Sequence, residues 1–412
     1  MNVIHKTFLE VLKSALLGKK ADFERELQPE QWQELFSLAQ IHHVLPMVYN
    51  AVYDAASLQS IPLAMAVKRQ TRQQVMVQTQ KTSDFLALNR KLCDAGIRPL
   101  VVKGIICRNL YPNPDCRVSG DEDILVPAEA FGAAHRVMQA YGMSTTAGED
   151  LPGAYEVPYR KEGSPLYIEL HKHLFPPESA AYGDLNRFFE GVHESAVSEE
   201  IQGNAVYTMD YTDHLFYLIC HAFKHFLHSG FGIRQVCDII LFANRYGARI
   251  DWQKVLRNCE EIRADKFAAA MFCIGRKYLT FDPEQAGYPA AWRIIKVNEM
   301  PMLEDLLIGG VYGDANMSRK HSSNITLAAV VSDKQGRRPG NAAVSSLFPP
   351  AEKLERRYPY LAKRPYLVPV AWCDRLWKYA RETRHSRENS ASDALKIGNE
   401  RIALMKEYGI LK

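Results

Sequence analysis

Between Ile97 and about residue 210 the chain drops the helical repeat that governs both of its flanks. Within that window apolar residues come in short β-branched runs. These are "IRPLVVKG" from Ile97, "DILV" from Asp123, and then "AYEVPYRKEG" and "PLYIELHKHL" on either side of a turn at Gly163, Ser164 and Pro165. Runs of this length, punctuated by turn residues, are strand signals. Pro127 to Gly142 differs: its proline start, helically spaced apolar residues and glycine stop predict a helix. The result is a compact α/β core over 97–210.

Before the core, apolar residues recur at helical spacing at Phe8, Val11, Leu12 and Leu16, at Trp32, Leu35, Phe36 and Leu38, and from Leu63 to Cys93. Residues 1–96 therefore read as an N-terminal helical region. After Tyr211 the period returns in "YTDHLFYLICHAFKHFLHSG", in "GIRQVCDIILFANRYG" and, behind the capping residue Asp251, in "DWQKVLRNCEEI". This predicts a helical domain over 211–317. The Ser, Lys, Arg, Gly and Asn of the next stretch, as in "SDKQGRRPGN", predict a flexible linker or loop over 318–345. Paired prolines and tyrosines then suggest an extended segment before a final helix, over 346–412. The class is α+β.

Composition narrows the function classes. The 412 residues are 47% hydrophobic and 24% charged, ordinary values for a globular chain. No run reaches the roughly 18 to 20 apolar residues of a membrane span, and the N-terminus lacks a signal-peptide pattern, so a cytoplasmic protein is expected. The eight cysteines stand singly, without a C-x-x-C pair, and read as reduced thiols. A net charge of +4 gives no indication of nucleic-acid binding. No serine or cysteine sits in a nucleophile elbow. The five tryptophans read as packing anchors.

The chemistry concentrates at "RVSGDEDILV". On a strand, Asp121 and Asp123 share one face while Glu122 takes the other. Two like charges side by side persist most readily around a divalent cation, and Mg²⁺, with Mn²⁺ as the alternative, suits carboxylates that act together with substrate phosphates. In "LYIELHKHL", Glu169 alternates onto one face beside His171, offering a third carboxylate. Three such groups from adjacent strands would make a phosphoryl-transfer site. Lys103 and Gly104 end the strand "VVKG" just ahead of a helix and offer a cation and exposed amides to a triphosphate. Arg117 could reach the same phosphates, and Ser119 and Gly120 complete the candidate nucleotide-binding set.

"LVVKGIICRNLYPNPDCRVSGDEDILV", "YIELHKHLF", "LICHAFKHF", "GIRQVCDIILF" and "IDW" together resemble the family of bacterial uncharacterised nucleotidyltransferases within the polymerase-β-like superfamily. The resemblance runs through most of the chain. It implies a small mixed β-sheet core with helices packed against it. It also implies transfer of a nucleotidyl group from a nucleoside triphosphate to an unidentified acceptor, with Asp121 and Asp123 matching the metal-binding D-x-D and Glu169 the third carboxylate. Two departures stand out: Lys103-Gly104 takes the place of the superfamily's Gly-Ser pair, and Glu122 occupies a position that is usually apolar. A glutamate there is harmless on an edge strand and needs a partner in a central one. The alternative reading is a catalytically silent nucleotide- or metal-binding accessory protein.

The helix after Tyr211 sets His214, His221, His225 and His228 on one face. With Asp238 on the next helix they offer a possible histidine metal site. The plainer reading is that His221 and His225 pack at a helix junction. By the resemblance, His225, Arg234 and Asp238 line the cleft facing the carboxylates, where Arg234 could grip phosphate oxygens.

Overall fold

The computed structural model describes residues 1–22, 26–145, 153–310, 317–336, 351–354, 357–383 and 391–412. They fall into two compact units: one formed by Met1–Ala222 with Ile233–Glu299, the other by Phe223–Gly232 with Met300–Lys412. Among the described residues no helix is long and apolar enough to cross a membrane.

The first unit is built on a five-stranded mixed sheet of β1 (Leu100–Val101), β2 (Glu122–Leu125), β3 (Met143–Thr145), β4 (Glu156–Lys161) and β5 (Tyr167–His171). Its order is β1-β2-β5-β4-β3, and β2–β5 is its one parallel pair. The expected hairpin is present as β4–β5, and the expected helix after β2 spans Phe131–Ala140. Ile124, Val157, Ile168 and Leu170 are fully buried, so the central strands are fixed by apolar packing. Every residue of β2 is buried, Glu122 included, which makes it a central strand.

The long helix Leu63–Asp94 buttresses this sheet. Near its C-terminus it buries Phe85, Leu86, Leu88 and Leu92, while its middle buries Gln78, Lys81 and Thr82, a polar stretch with a specific use below. A second sheet, β6 (Val197–Ile201) with β7 (Asn204–Thr208), is an antiparallel hairpin. The Asn89 amide donates to Ala205 O at 2.9 Å and ties β7 to the same helix.

His214, on the helix Tyr211–Leu227, serves this junction rather than a metal. Its Nε2 lies 2.7 Å from Val102 O and its Nδ1 lies 2.9 Å from Thr208 Oγ1. A carbonyl only accepts, so the neutral ring carries its proton on Nε2; the Thr208 hydroxyl beside Nδ1 donates to Val101 O at 2.6 Å. Burial holds the His214 pKa down at about 4. A buried base that stays neutral in the native state is protonated first in the unfolded chain. Its stabilising effect is therefore complete above about pH 6.5 and is lost as pH falls toward 4, by about 3 kcal/mol. Urea unfolding at pH 7, 5.5 and 4.5 should show that slope, and His214→Gln should flatten it.

In the second unit the segment expected to be a linker is helical from Met317 to Lys334; residues 337–345 lie outside the described set. Ser322, Ile325, Thr326, Ala329 and Val330 are buried along one face, at the 3, 4, 7 and 8 spacing of an amphipathic helix. Ser332, Asp333 and Lys334, from the stretch that suggested a connector, form its last turn and are not buried. This helix packs along Ala391–Glu407, and close approach is needed at Gly398, whose added Cβ would meet Ile325 atoms at 3.0 to 3.2 Å. The stretch read as extended is also largely helical, over Ala351–Leu354 and Val368–Thr383.

Two buried arginines complete this unit. Arg319 and Arg401 share the Asp305 carboxylate. Arg319 Nε also donates to Ser229 O at 2.7 Å, Arg401 donates to Phe226 O, and the Thr326 hydroxyl donates to His228 O at 2.8 Å. They satisfy carbonyls orphaned at and just beyond a helix C-terminus, where cations are favoured. Trp32, Trp252 and Trp292 are buried as expected of anchors, while Trp377 is 61% exposed.

Candidate active site

The parallel pairing of β2 and β5 places Asp123 directly opposite Glu169. Alternation puts both, with Tyr167 and His171, on one face of the sheet. Single ligand atoms of Asp123, Glu169 and His171 lie within 4.8 Å of one another, and among the described residues this is the one such group of metal-ligating side chains. His171 Nε2 is 3.2 Å from Asp123 Oδ1 and 3.8 Å from Glu169 Oε2. On the other side of the ring, Nδ1 is 3.3 Å from His173 O and 3.6 Å from Glu156 Oε2. Glu156 comes from β4, where it is the register partner of His171.

Lys103 enters from the sheet edge. Its Nζ is 2.8 Å from Asp123 Oδ2, an ion pair, and 3.0 Å from His221 Nε2. His221 Nδ1 is in turn 3.4 Å from Gln235 Nε2 on the helix Ile233–Tyr246. The histidine helix thus contributes to the site through the lysine.

The charges explain each titration shift. Burial alone would raise the Asp123 carboxyl, but the Lys103 ammonium and the His171 hydrogen bond hold it well below the usual range. Glu169 has no such cation. Burial, then the charges of Asp123, Asp121 and Glu156, push it up to about 7. His171 is raised because hydrogen bonding and charge from Asp123, with Glu156 and Glu169, outweigh the lowering effect of burial. Two carboxylates and an imidazole converging in an anionic, largely buried setting fit a divalent cation, by the chemistry of the donor set.

Glu122 is the opposite case. Its carboxylate faces away from this group, is 0% exposed, and is ion-paired with Arg108. It accepts the Ile105 N–H at 2.8 Å, and Lys81 Nζ lies 3.9 Å away. Ser119 belongs to the same cluster: its hydroxyl accepts from Arg108 at 2.8 Å, its carbonyl accepts from Lys81 at 3.1 Å, and its N–H donates to Gln78 Oε1 at 2.9 Å. The middle acid therefore anchors the loop before β2 to the helix Gly104–Arg108, with the long helix behind it. Gly104 follows from the same contact. It has φ +42°, and an added Cβ would sit 1.7 Å from Glu122 Oε2.

Several expected site residues are placed otherwise. Asp121 precedes the first residue of β2, and its carboxylate lies outside the three-residue group, although its charge is felt at Glu169. Arg117 does not present its guanidinium to the carboxylates: Nε donates to Asp238 Oδ1 at 2.7 Å, and Nη2 pairs with Oδ2. Asp238, also accepting from Tyr111 at 2.7 Å, is spent on that buried pair rather than lining a cleft. Arg234 donates to Val118 O and so holds the backbone beside Arg117. Gly120 is exposed, with open space where a Cβ would be. His225 belongs to the second unit, the carboxylates to the first. Glu156 was not anticipated, and His221, expected in a histidine metal site or at a helix junction, instead lies 3.0 Å from Lys103 Nζ. The signal for Glu156 was present in the strand alternation of "YEVPYRK", which sets it on the same face as Pro158 and Arg160.

Neither a curated protein nor a solved structure matches the chain. A family model does, over residues 28–280, a span that contains the entire mixed sheet, the Lys103–His221 contact and the Arg117–Asp238 pair. The chain accordingly belongs to the uncharacterised nucleotidyltransferase family, and that membership supports nucleotidyl transfer as its general activity.

Proposed function

We propose that the chain is a divalent-cation-dependent nucleotidyltransferase, moving a nucleoside monophosphate from a triphosphate to an acceptor hydroxyl with release of pyrophosphate. The observation that carries this reading is the in-register pair Asp123 and Glu169 on parallel strands, with His171 against both. Asp123 and Glu169, with Asp121 at the mouth, would hold the cation. A bound divalent cation supplies charge neutralisation at the α-phosphate and lowers the pKa of an attacking hydroxyl.

The chain's own groups divide the remaining work. Glu169, in register with Asp123 and 3.8 Å from His171 Nε2, is the candidate base that takes the acceptor proton. Lys103 is the cation nearest the carboxylates and sits at the start of the helix Gly104–Arg108, where it can meet the phosphates. His221 keeps its ammonium in place. Arg117 holds the loop carrying Ser119 and Asp121 through Asp238.

Calorimetric titration with ATP, GTP, CTP and UTP, with and without divalent cation, followed by a pyrophosphate-release assay, tests this. Wild type should bind a triphosphate only with cation and release pyrophosphate, and an Asp121→Ala, Asp123→Ala double variant should do neither. Unchanged release in that variant overturns the assignment. Cation-dependent binding without any turnover would favour the silent binding protein instead.

A further inference from the structure

We propose that His171 is itself a metal ligand, through Nε2, and that the site therefore prefers a first-row transition ion such as Mn²⁺ to Mg²⁺. The inference rests on the cation site proposed above and concerns which ion it takes.

The ring's surroundings fix its orientation. Nδ1 faces the His173 carbonyl at 3.3 Å and Glu156 Oε2 at 3.6 Å, so it keeps its proton whatever happens at the other nitrogen. Nε2 also faces acceptors, Asp123 Oδ1 and Glu169 Oε2, and a cation held there would displace the one proton that Nε2 shares with them. A histidine whose second N–H is held by a carbonyl or carboxylate while its free nitrogen points into a carboxylate cluster is the usual arrangement of a metal-ligating imidazole. His171 is 4% exposed, so solvent does not compete for that nitrogen. Lys103 does not obstruct it either, because the lysine pairs with Oδ2 of Asp123 and the histidine stands at Oδ1. In the absence of metal, a proton shared between Nε2 and Oδ1 occupies the position the ion would take.

Donor chemistry then selects the ion. Mg²⁺ is served by oxygen ligands and gains little from an imidazole, whereas Mn²⁺ and the later first-row ions accept nitrogen and carboxylate oxygen together. Asp123, Glu169 and His171 form a mixed oxygen and nitrogen set.

Mn²⁺ titration of the full chain, followed by loss of the free-ion electron paramagnetic resonance signal and with Mg²⁺ as competitor, provides the test. Wild type should bind Mn²⁺ at least about tenfold more tightly than Mg²⁺, and electron spin-echo modulation should show a directly bonded ¹⁴N. His171→Gln should abolish that modulation and weaken Mn²⁺ about 10- to 100-fold. His171→Asp should keep Mg²⁺ affinity and lose the preference for Mn²⁺. Mn²⁺ binding with no nitrogen coupling, or a preference unchanged in both variants, overturns the histidine assignment and leaves the carboxylate site standing. Failure of wild type to bind either ion overturns the cation site, and the inference with it. Circular dichroism melting of each variant separates loss of a ligand from loss of the fold.

Discussion

Glu122→Ala is expected to lower global stability by about 3–5 kcal/mol, the range for removing one partner from a buried ion pair. The carboxylate is fully buried, while Arg108 is 1% and Lys81 2% exposed, so neither cation can turn to water when the acid is gone. The Ile105 N–H loses its acceptor as well. Glu122→Gln preserves shape but not charge and should recover only part of the loss. Asp121→Asn, one residue away and half-buried, should stay within about 0.5 kcal/mol of wild type, as a surface change does. Urea midpoints for the three variants check this. A double-mutant cycle with Arg108→Met should give a coupling of about 1–3 kcal/mol, as for residues within one ion-pair network. Stability unchanged in Glu122→Ala would refute the anchoring role.

Glu169→Gln is expected to split function from stability. If Glu169 takes the acceptor proton, its loss should slow turnover about 10²- to 10⁴-fold. Without divalent cation, however, the same change should leave the protein more stable at neutral pH, by about 1–3 kcal/mol. The sign follows from the raised carboxyl. Burial and the charges of Asp123, Asp121 and Glu156 make the native state bind the proton more tightly than the unfolded chain does. Stability attributable to this group therefore falls as pH rises from the ordinary glutamate range toward 7, and a neutral amide removes the repulsion. Thermal melts in chelator, beside pyrophosphate release with cation, read both quantities. A variant destabilised in chelator would show that Glu169 is held by attraction.

Much of the sheet was legible because local signals agreed with one another. "DILV", the β4–β5 turn and the helix before Gly142 each carry a pattern that tertiary packing left alone. The alternation of the D-x-D likewise put Asp123 on the face that carries Glu169 and His171. What sequence could not supply were partners far along the chain. Arg117 and Asp238 are 121 positions apart, and nothing local shows that a guanidinium read as a phosphate grip already has a carboxylate. Glu122 was recognised as a residue that a central strand would oblige to find a partner, yet Arg108 and Lys81 come from two separate helices. The helix Met317–Lys334 carries the composition of a connector because small or hydroxylated residues such as Ser322, Thr326 and Ala329 form its buried face.

The parallel pairing of β2 with β5 has a kinetic consequence. Asp123 and Glu169 become neighbours only after the helix Phe131–Ala140, β3 and β4 have been gathered into the intervening loop, so their encounter is a non-local closure paid in chain entropy. A nascent or partly unfolded chain carries the same acids yet cannot offer them together. Were the pair to take up a cation as proposed, that capture would be a late event on the folding path, and occupancy would report that the sheet has closed.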